Sequence, residues 1–215
     1  MVRKRVGVLV SGRGSNLQAL LDACADSAFP AEIALVIANV ADAPALARAE
    51  RAGVATRTIP HRDFPSREDF DAALDRALRE AGIDIVCLAG FMRILTPGFV
   101  EGWRGRMINV HPALLPAFKG LDTHARALAE GVKLHGCTVH LVVPDLDAGP
   151  ILAQAAVPVL DGDDADALAA RVLIQEHRLY PLALKLLAEG RVRIGNGRTH
   201  IDAPAPDGVL ANPQP

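Results

Sequence analysis

The sequence predicts an α/β fold built on a mostly parallel, twisted sheet, with helices on both faces and a β-hairpin near the C-terminus. Short, continuous apolar runs such as residues 6–10 are typical of strands buried on both faces. Segments with apolar residues at helical spacing alternate with these runs, which favours parallel strands joined by helices. Half of the 215 residues are apolar and 22% are charged, so the chain can form one domain with a sizeable core.

The first half of the chain alternates strands and helices. Apolar or β-branched runs predict strands at residues 6–10, 33–38, 54–59 and 83–89. A Gly-rich turn, a proline and a serine cap predict helices that begin after Gly14, at Pro44 and after Ser66. Gly53 and Gly82 end the second and third of these helices.

The second half predicts further strands, one long helix and the hairpin. The strands are expected at residues 107–110, 138–143 and 151–159. Asp163 and Asp164 cap a predicted helix that runs to about Glu189, with Pro181 as a kink. Its predicted inward face consists of Leu168, Val172, Leu179, Leu182 and Leu186. A Gly-Asn-Gly turn at 195–197 predicts a hairpin.

Composition limits the class of protein. The net charge of −2 argues against a general nucleic-acid binder. Three cysteines without C-x-x-C spacing suit the reduced thiols of a cytoplasmic protein, and no His or Cys cluster predicts a metal site. No apolar run approaches the roughly 18 residues of a membrane span. The basic N-terminus does not predict a signal peptide, because residues 11–14 interrupt the apolar segment that follows it. We expect one domain over residues 1–202 and a Pro-rich tail at 203–215.

The first strand ends in a Gly-rich turn, Ser-Gly-Arg-Gly-Ser-Asn at residues 11–16. Glycines allow backbone amides to approach an anion, and the next helix adds its positive N-terminal end, so a phosphate suits this turn. A tight strand-to-helix turn without a ligand fits the segment equally well. A dinucleotide site is disfavoured because Leu17 replaces the third glycine and the second strand ends in Asn39 instead of an acid.

The fourth strand leads into an apolar loop at residues 90–97. Ligands in parallel sheets bind beyond the carboxyl ends of the strands, and this loop can offer backbone groups and a hydrophobic wall to a flat heterocycle. Plain core packing is the alternative for each of its apolar side chains. These side chains are Phe91, Met92, Ile94 and Leu95.

Asn109 and His111 lie where the fifth strand ends, and because they are two residues apart in an extended segment they point to the same side of the backbone. An amide and an imidazole in this arrangement can stabilise a developing oxyanion, and the imidazole can also move a proton. Asp147, in an acidic loop after a later strand, can favour the charged form of His111 if it lies against the ring. The alternatives are a histidine satisfied by backbone groups and acids that only form Asx turns.

Together these motifs resemble those of the phosphoribosylglycinamide formyltransferases, the folate-dependent enzymes of purine synthesis. The resemblance rests on the Gly-rich turn, on Asn-x-His-Pro at 109–112 and on Leu-Asp-x-Gly-Pro at 146–150. It also includes the segments 88–95, 135–140 and 175–177, and it covers nearly the whole chain. The resemblance implies the Rossmann-like formyltransferase fold.

The resemblance also implies a role for particular residues. Asn109, His111 and Asp147 would be catalytic. The acceptor 5′-phosphoribosylglycinamide would be bound by Gly14, Ser15, Asn16 and Glu176. The co-substrate 10-formyltetrahydrofolate would be bound by Arg67, Met92, Arg93, Ile94, Leu95 and Asn109. Leu173 departs from the family pattern, in which a polar residue, often Gln, contacts the nucleotide.

By this resemblance the acceptor amine attacks the formyl carbon directly, while Asn109 and protonated His111 stabilise the oxyanion. Neither a metal nor a covalent enzyme intermediate is expected.

The alternative functions are a formyltetrahydrofolate hydrolase, another formyltransferase such as one acting on aminoacyl-tRNA, and a non-catalytic nucleotide-binding module. We expect no regulatory domain before the first strand, which disfavours the hydrolase, and the charge disfavours a tRNA substrate. The sequence does not distinguish between a monomer and a homodimer.

Overall fold

The sheet of this protein has seven strands in the residues that the computed structural model describes, 2–203. Its strands are β1 (Lys4–Val10), β2 (Ala31–Ala38), β3 (Ala55–Thr58), β4 (Ile85–Leu88), β5 (Met107–His111), β6 (Leu134–Leu141) and β7 (Ile151–Pro158). They lie in the order β3-β2-β1-β4-β5-β6-β7. The first five are parallel to one another, and β6 is antiparallel to both β5 and β7. The predicted mostly parallel sheet is therefore confirmed.

Helices cover both faces of this sheet. They are α1 (Ser15–Cys24), α2 (Pro44–Arg51), α3 (Arg67–Glu80), α4 (Pro97–Gly102), α5 (Thr123–Ala129) and α6 (Ala165–Ala188). One core cluster packs α1, α2 and α6 against one face, and a second packs α3 and α4 against the other. The remaining hairpin consists of β8 (Val192–Gly195) and β9 (Arg198–Ile201).

Local sequence signals account for several element ends. The Ser66 hydroxyl accepts a hydrogen bond from the Asp69 N–H at the start of α3. Asp164 caps α6 in the same way. Asn196 and Gly197 have φ values of 51° and 71°, as the two-residue turn of a tight hairpin requires.

Two helices were not predicted, and one predicted core residue is exposed. Helix α4 begins at the last residue of the predicted loop 90–97, and α5 lies between the predicted strands 107–110 and 138–143. The predicted inward residue Leu182 is 49% exposed, because it stands about 200° around the helix from the buried Tyr180. The tail predicted at 203–215 lies outside the described residues, apart from residue 203.

The chain changes direction across the sheet at β1, which has β2 on one side and β4 on the other. Ligands of open α/β sheets bind at such a switch point, beyond the carboxyl ends of the strands. The register pairs Leu88 on β4 with Asn109 on β5. Two of the loops that carry candidate residues therefore begin side by side.

Candidate active site

The Gly-rich turn after β1 borders a cavity of about 330 Å³. The cavity is lined by Ser11, Gly12, Arg13, Gly14, Ser15, Asn16, Ala89, Gly90 and Met92. Gly14 has φ of 73°, and a Cβ there would lie 2.6 Å from the Cβ of Ala45. Only glycine fits this position, and α1 begins immediately after it, so its first N–H groups are available to an anion.

Asn16 connects this turn to α6. Its Nδ2 donates to Glu176 Oε2 at 2.7 Å, across a sequence separation of 160 residues. Glu176 is 7% exposed. Burial raises the pKa of the Glu176 carboxyl, while the Asn16 hydrogen bond and the nearby His111 act in the opposite direction. The structure thus brings together Asn16 and Glu176, two of the residues predicted to bind the acceptor, and Glu176 lies within electrostatic reach of the predicted catalytic His111.

Asp147 lies between two imidazoles. Its Oδ2 is 3.4 Å from His111 Nδ1, and its Oδ1 is 3.8 Å from His140 Nε2. The side chains of Asp147 and His111 are less than a tenth exposed. Asp147 itself has φ of 47°, in the left-handed region, and its Oδ2 accepts a hydrogen bond from the Gly120 N–H at 2.9 Å. The predicted contact between Asp147 and His111 is present in this geometry.

His111 has a second partner that the sequence did not reveal. Its Nε2 is 2.9 Å from the carbonyl oxygen of Phe118, and because a carbonyl can only accept, Nε2 is the donor. Both ring nitrogens therefore face acceptors within the protein. For His111 to donate to a substrate oxygen, one of these contacts has to be exchanged. Phe118 has φ of 54°, a conformation that is unfavourable for a bulky residue.

The sequence analysis assigned no role to His140, which the structure places at this site. The β5–β6 register places it opposite Asn109, and its Nε2 is 3.2 Å from Asn109 Nδ2. Its Nδ1 faces the Leu141 carbonyl at 2.9 Å, so Nδ1 carries the proton and Nε2 can accept from the Asn109 amide. Burial lowers the pKa of His140, against the effect of the Leu141 carbonyl and Asp147. A neutral His140 thus orients Asn109.

The loop after β4 contains both exposed and buried apolar residues. Met92 is 67% and Ile94 63% exposed, so the core-packing alternative is wrong for these two side chains. Leu95 is buried, and Phe91 stacks on Phe70 of α3 with ring centroids 6.5 Å apart. Buried Phe70 follows the exposed Arg67 by one turn of α3, which places Arg67 near the same end of the sheet.

Some predicted residues are not drawn into these contacts. Arg67 makes no hydrogen bond or ion pair within residues 2–203, and Leu173 on α6 is half-buried.

The described part of the chain holds no group of three or more His, Cys, Asp or Glu side chains suited to a metal. Among the described helices, none has the length and apolarity needed to span a bilayer.

The chain matches the Formyl transferase family over residues 4–184. It is 46% identical to the phosphoribosylglycinamide formyltransferase of Escherichia coli, and the match covers 91% of this chain and 92% of that protein. The chain belongs to the phosphoribosylglycinamide formyltransferase family. A crystal structure of glycinamide ribonucleotide transformylase 1 from Symbiobacterium toebii has a TM-score of 0.91 at 49% identity, covering 93% of this chain and 94% of that one.

Two other matches set limits on what family membership implies. The human trifunctional purine biosynthetic protein adenosine-3 is 52% identical to this chain over 91% of the chain's residues. The chain spans 20% of the length of that protein. A formyltetrahydrofolate deformylase from Pseudomonas syringae has a TM-score of 0.86 at 29% identity, over 93% of this chain and 66% of that one. The formyltransferase fold therefore occurs with more than one acceptor of the formyl group.

Proposed function

We propose that this member of the phosphoribosylglycinamide formyltransferase family transfers the formyl group of 10-formyltetrahydrofolate to the amine of 5′-phosphoribosylglycinamide, in purine biosynthesis. The observation that carries the proposal is the position of Asp147, His111 and Asn109. Asp147 contacts His111 and His140, His140 contacts Asn109, and Asn109 pairs with Leu88, shortly before the exposed loop at 90–95. The Gly-rich turn, whose cavity suits a phosphate, and this loop, which suits a flat ring, follow the adjacent strands β1 and β4 of the same sheet.

The acceptor is proposed to lie along the Gly-rich turn. The phosphate would accept hydrogen bonds from the backbone of Gly14 and Ser15 and from Asn16 at the start of α1. Glu176 would bind the ribose hydroxyls or the glycinamide end, since it is hydrogen-bonded to Asn16 and lies within electrostatic reach of His111. Asn16 also has a buried Oδ1 with no hydrogen-bond partner within the described residues, which leaves it free to accept from a ligand.

The folate is proposed to lie against the loop at 90–95. Met92 and Ile94 present apolar surface, and the main chain from Arg93 to Leu95 supplies hydrogen bonds to the ring. Arg67 would contact the acidic end of the folate from the first turn of α3. The folate is a co-substrate in this scheme.

In the proposed reaction the acceptor nitrogen forms a bond to the formyl carbon, and the carbonyl oxygen takes the negative charge. Asn109 and His111 donate hydrogen bonds to that oxygen, which contributes roughly 3 kcal/mol for a well-placed donor. Asp147 stabilises the charged imidazole and takes the amine proton, directly or through a water molecule. The bond between the formyl carbon and the folate nitrogen then breaks, and that nitrogen gains a proton.

A formyl-transfer assay tests this proposal. The protein is incubated with 10-formyltetrahydrofolate, once with 5′-phosphoribosylglycinamide and once without an amine, and tetrahydrofolate release is followed. We expect release only with the acceptor. Similar release without it would identify a hydrolase, the alternative that the similarity to the deformylase structure favours. No release in either assay from folded protein would indicate a non-catalytic nucleotide-binding module. A cytoplasmic location and the oligomeric state stay predictions.

A further inference from the structure

The Ser11 hydroxyl connects the Gly-rich turn to the loop that follows β4, and both line the same cavity. It accepts a hydrogen bond from the Met92 N–H at 2.8 Å and donates to Asn39 Oδ1 at 2.6 Å. The Ser11 N–H also donates to the Gly90 carbonyl at 3.2 Å. One residue at the end of β1 therefore makes two contacts with the loop that follows β4.

The direction of the contact with the loop is fixed, because the Met92 N–H can only donate and the Ser11 hydroxyl therefore accepts from it. Asn39, which is 2% exposed, accepts from the Ser11 hydroxyl through Oδ1, and the Asn39 backbone carbonyl and Nδ2 lie 3.1 Å and 3.3 Å from His61 Nδ1. A hydroxyl has one proton and two acceptor positions. Because that proton goes to Asn39, the oxygen lone pairs face the Met92 N–H. These two hydrogen bonds fix the orientation of the Ser11 hydroxyl, which therefore attaches the Met92 end of the loop to β1.

The other end of the same loop is held from α3. The Thr96 N–H donates to Asp71 Oδ2 at 2.6 Å, and both residues are buried. Between these two attachments, the N–H groups of residues 93–95 have no hydrogen-bond partner within the described part of the chain. Fixed ends with open amides between them are what a main-chain binding site for a flat ring requires.

We propose that Ser11 is a positioning residue for the folate loop, which it holds through the Met92 N–H so that the amides of residues 93–95 meet the ligand. This inference rests on the proposed function. Ser11 itself would touch neither the reacting atoms nor the folate ring. Its loss should weaken folate binding far more than acceptor binding, because the backbone of the Gly-rich turn stays in place.

The test compares Ser11→Ala with Ser11→Thr, which keeps the hydroxyl, and with Ser27→Ala at an exposed position as the matched control. Steady-state KM is measured for each substrate, and amide hydrogen exchange at Met92 is measured by NMR without ligand. For Ser11→Ala we expect Met92 exchange to accelerate about tenfold and the KM for folate to rise about fivefold. The KM for the acceptor should change less than twofold, and Ser11→Thr should restore both values.

Unchanged Met92 exchange in folded Ser11→Ala would overturn the inference, and so would an equal rise in both KM values. Wild-type protein that releases no tetrahydrofolate would overturn the proposed function instead. In that case the exchange measurement still decides whether Ser11 holds the loop, because it needs neither substrate.

Discussion

Asp147 is the residue on which the proposed chemistry depends most, because its two oxygens face two different imidazoles. Replacing it by asparagine keeps the shape and removes the charge. We expect Asp147→Asn to lower kcat at least about 100-fold, with KM values for both substrates within about threefold of wild type. Steady-state kinetics with both substrates make the measurement.

Asp145→Asn is the matched control, since Asp145 is exposed in the same loop. It should leave kcat unchanged. If Asp147→Asn and Asp145→Asn had the same modest effect, the acids of this loop would be structural and the assignment of Asp147 to catalysis would fail.

Arg13 is a residue for which the sequence analysis assigned no role. It lines the Gly-rich cavity, is exposed, and its guanidinium makes no hydrogen bond or ion pair within residues 2–203. A cation without a protein partner in this range, beside the proposed phosphate site, can add a charge-assisted contact to the phosphate. The side chain of Leu173, where the family has a polar nucleotide contact, cannot form a hydrogen bond to the acceptor. We expect Arg13→Ala to raise the KM for the phosphorylated acceptor roughly tenfold, with the KM for folate unchanged.

The effect of Arg13→Ala should shrink in 0.5 M salt, because an exposed charge is screened. Arg51→Ala, at the exposed end of α2, is the control and should behave as wild type. A rise in the KM for folate instead would place Arg13 on the other substrate.

At the scale of elements, Thr138 on β6 holds the turn that follows the catalytic strand. Its hydroxyl donates to the Ala113 carbonyl at 2.7 Å and accepts from the Leu115 N–H and Gln154 Nε2, both at 3.0 Å. Thr138 is fully buried and pairs with His111 in the β5–β6 register. We expect Thr138→Val to lower the free energy of unfolding by about 2–3 kcal/mol, because it leaves buried backbone groups unpaired.

Urea unfolding measures the free energy of unfolding of Thr138→Val. Thr58→Val, at the exposed end of β3, serves as the control. The kcat should also fall, since the turn carries the backbone next to His111. A loss below about 0.5 kcal/mol would mean that the network around Thr138 contributes little.

Helix α6 shows how an element can be placed by residues other than its leucines. The Tyr180 hydroxyl lies 2.9 Å from the Leu88 carbonyl and 3.2 Å from that of Ile108, so it reaches both β4 and β5. Glu176 lies one turn before it on the same buried stripe. Leu182 was predicted to face inward because it is a leucine. The buried face instead follows the helical period, which brings the polar residues Glu176 and Tyr180 inward.

For the whole molecule, we expect the buried His135 to make stability depend on pH. It is 1% exposed on β6, where the rings of Phe118 and His124 contact it edge-on. Burial and the neighbouring His124 lower the pKa of His135 to about 4, against the opposing effect of the Pro112 carbonyl. The unfolded chain, with an ordinary histidine pKa of about 6.5, binds more protons between these values.

Stability should therefore fall as the pH drops from about 6.5 to about 4, by an amount on the order of 3 kcal/mol from this residue. His124, whose pKa is also lowered by burial, acts in the same direction. We expect His135→Phe to flatten this part of the profile. Urea unfolding between pH 4 and pH 7.5 measures it, with His200→Phe on the exposed hairpin as the control. Parallel profiles for His135→Phe and wild type would contradict the assignment.

The sequence by itself determined the features that depend on neighbours along the chain. Alternating apolar runs and helical periods predicted the succession of strands and helices along the chain, and Ser66, Asp164 and the Asn196–Gly197 turn marked element ends. The extended spacing of Asn109 and His111 predicted that their side chains point to the same side, and both residues lie on β5, one residue longer than the predicted strand. These features follow from local sterics and capping, which need no distant partner.

Only the tertiary structure decided which distant residues meet. The β5–β6 register sets His140 against Asn109, helix packing sets Glu176 against Asn16, and the turn after β5 sets the Phe118 carbonyl against His111. The antiparallel direction of β6 was also invisible in its apolar pattern. A one-residue change of strand register turns every side chain to the other face, so such contacts depend on the packing of the whole sheet and not on local pattern.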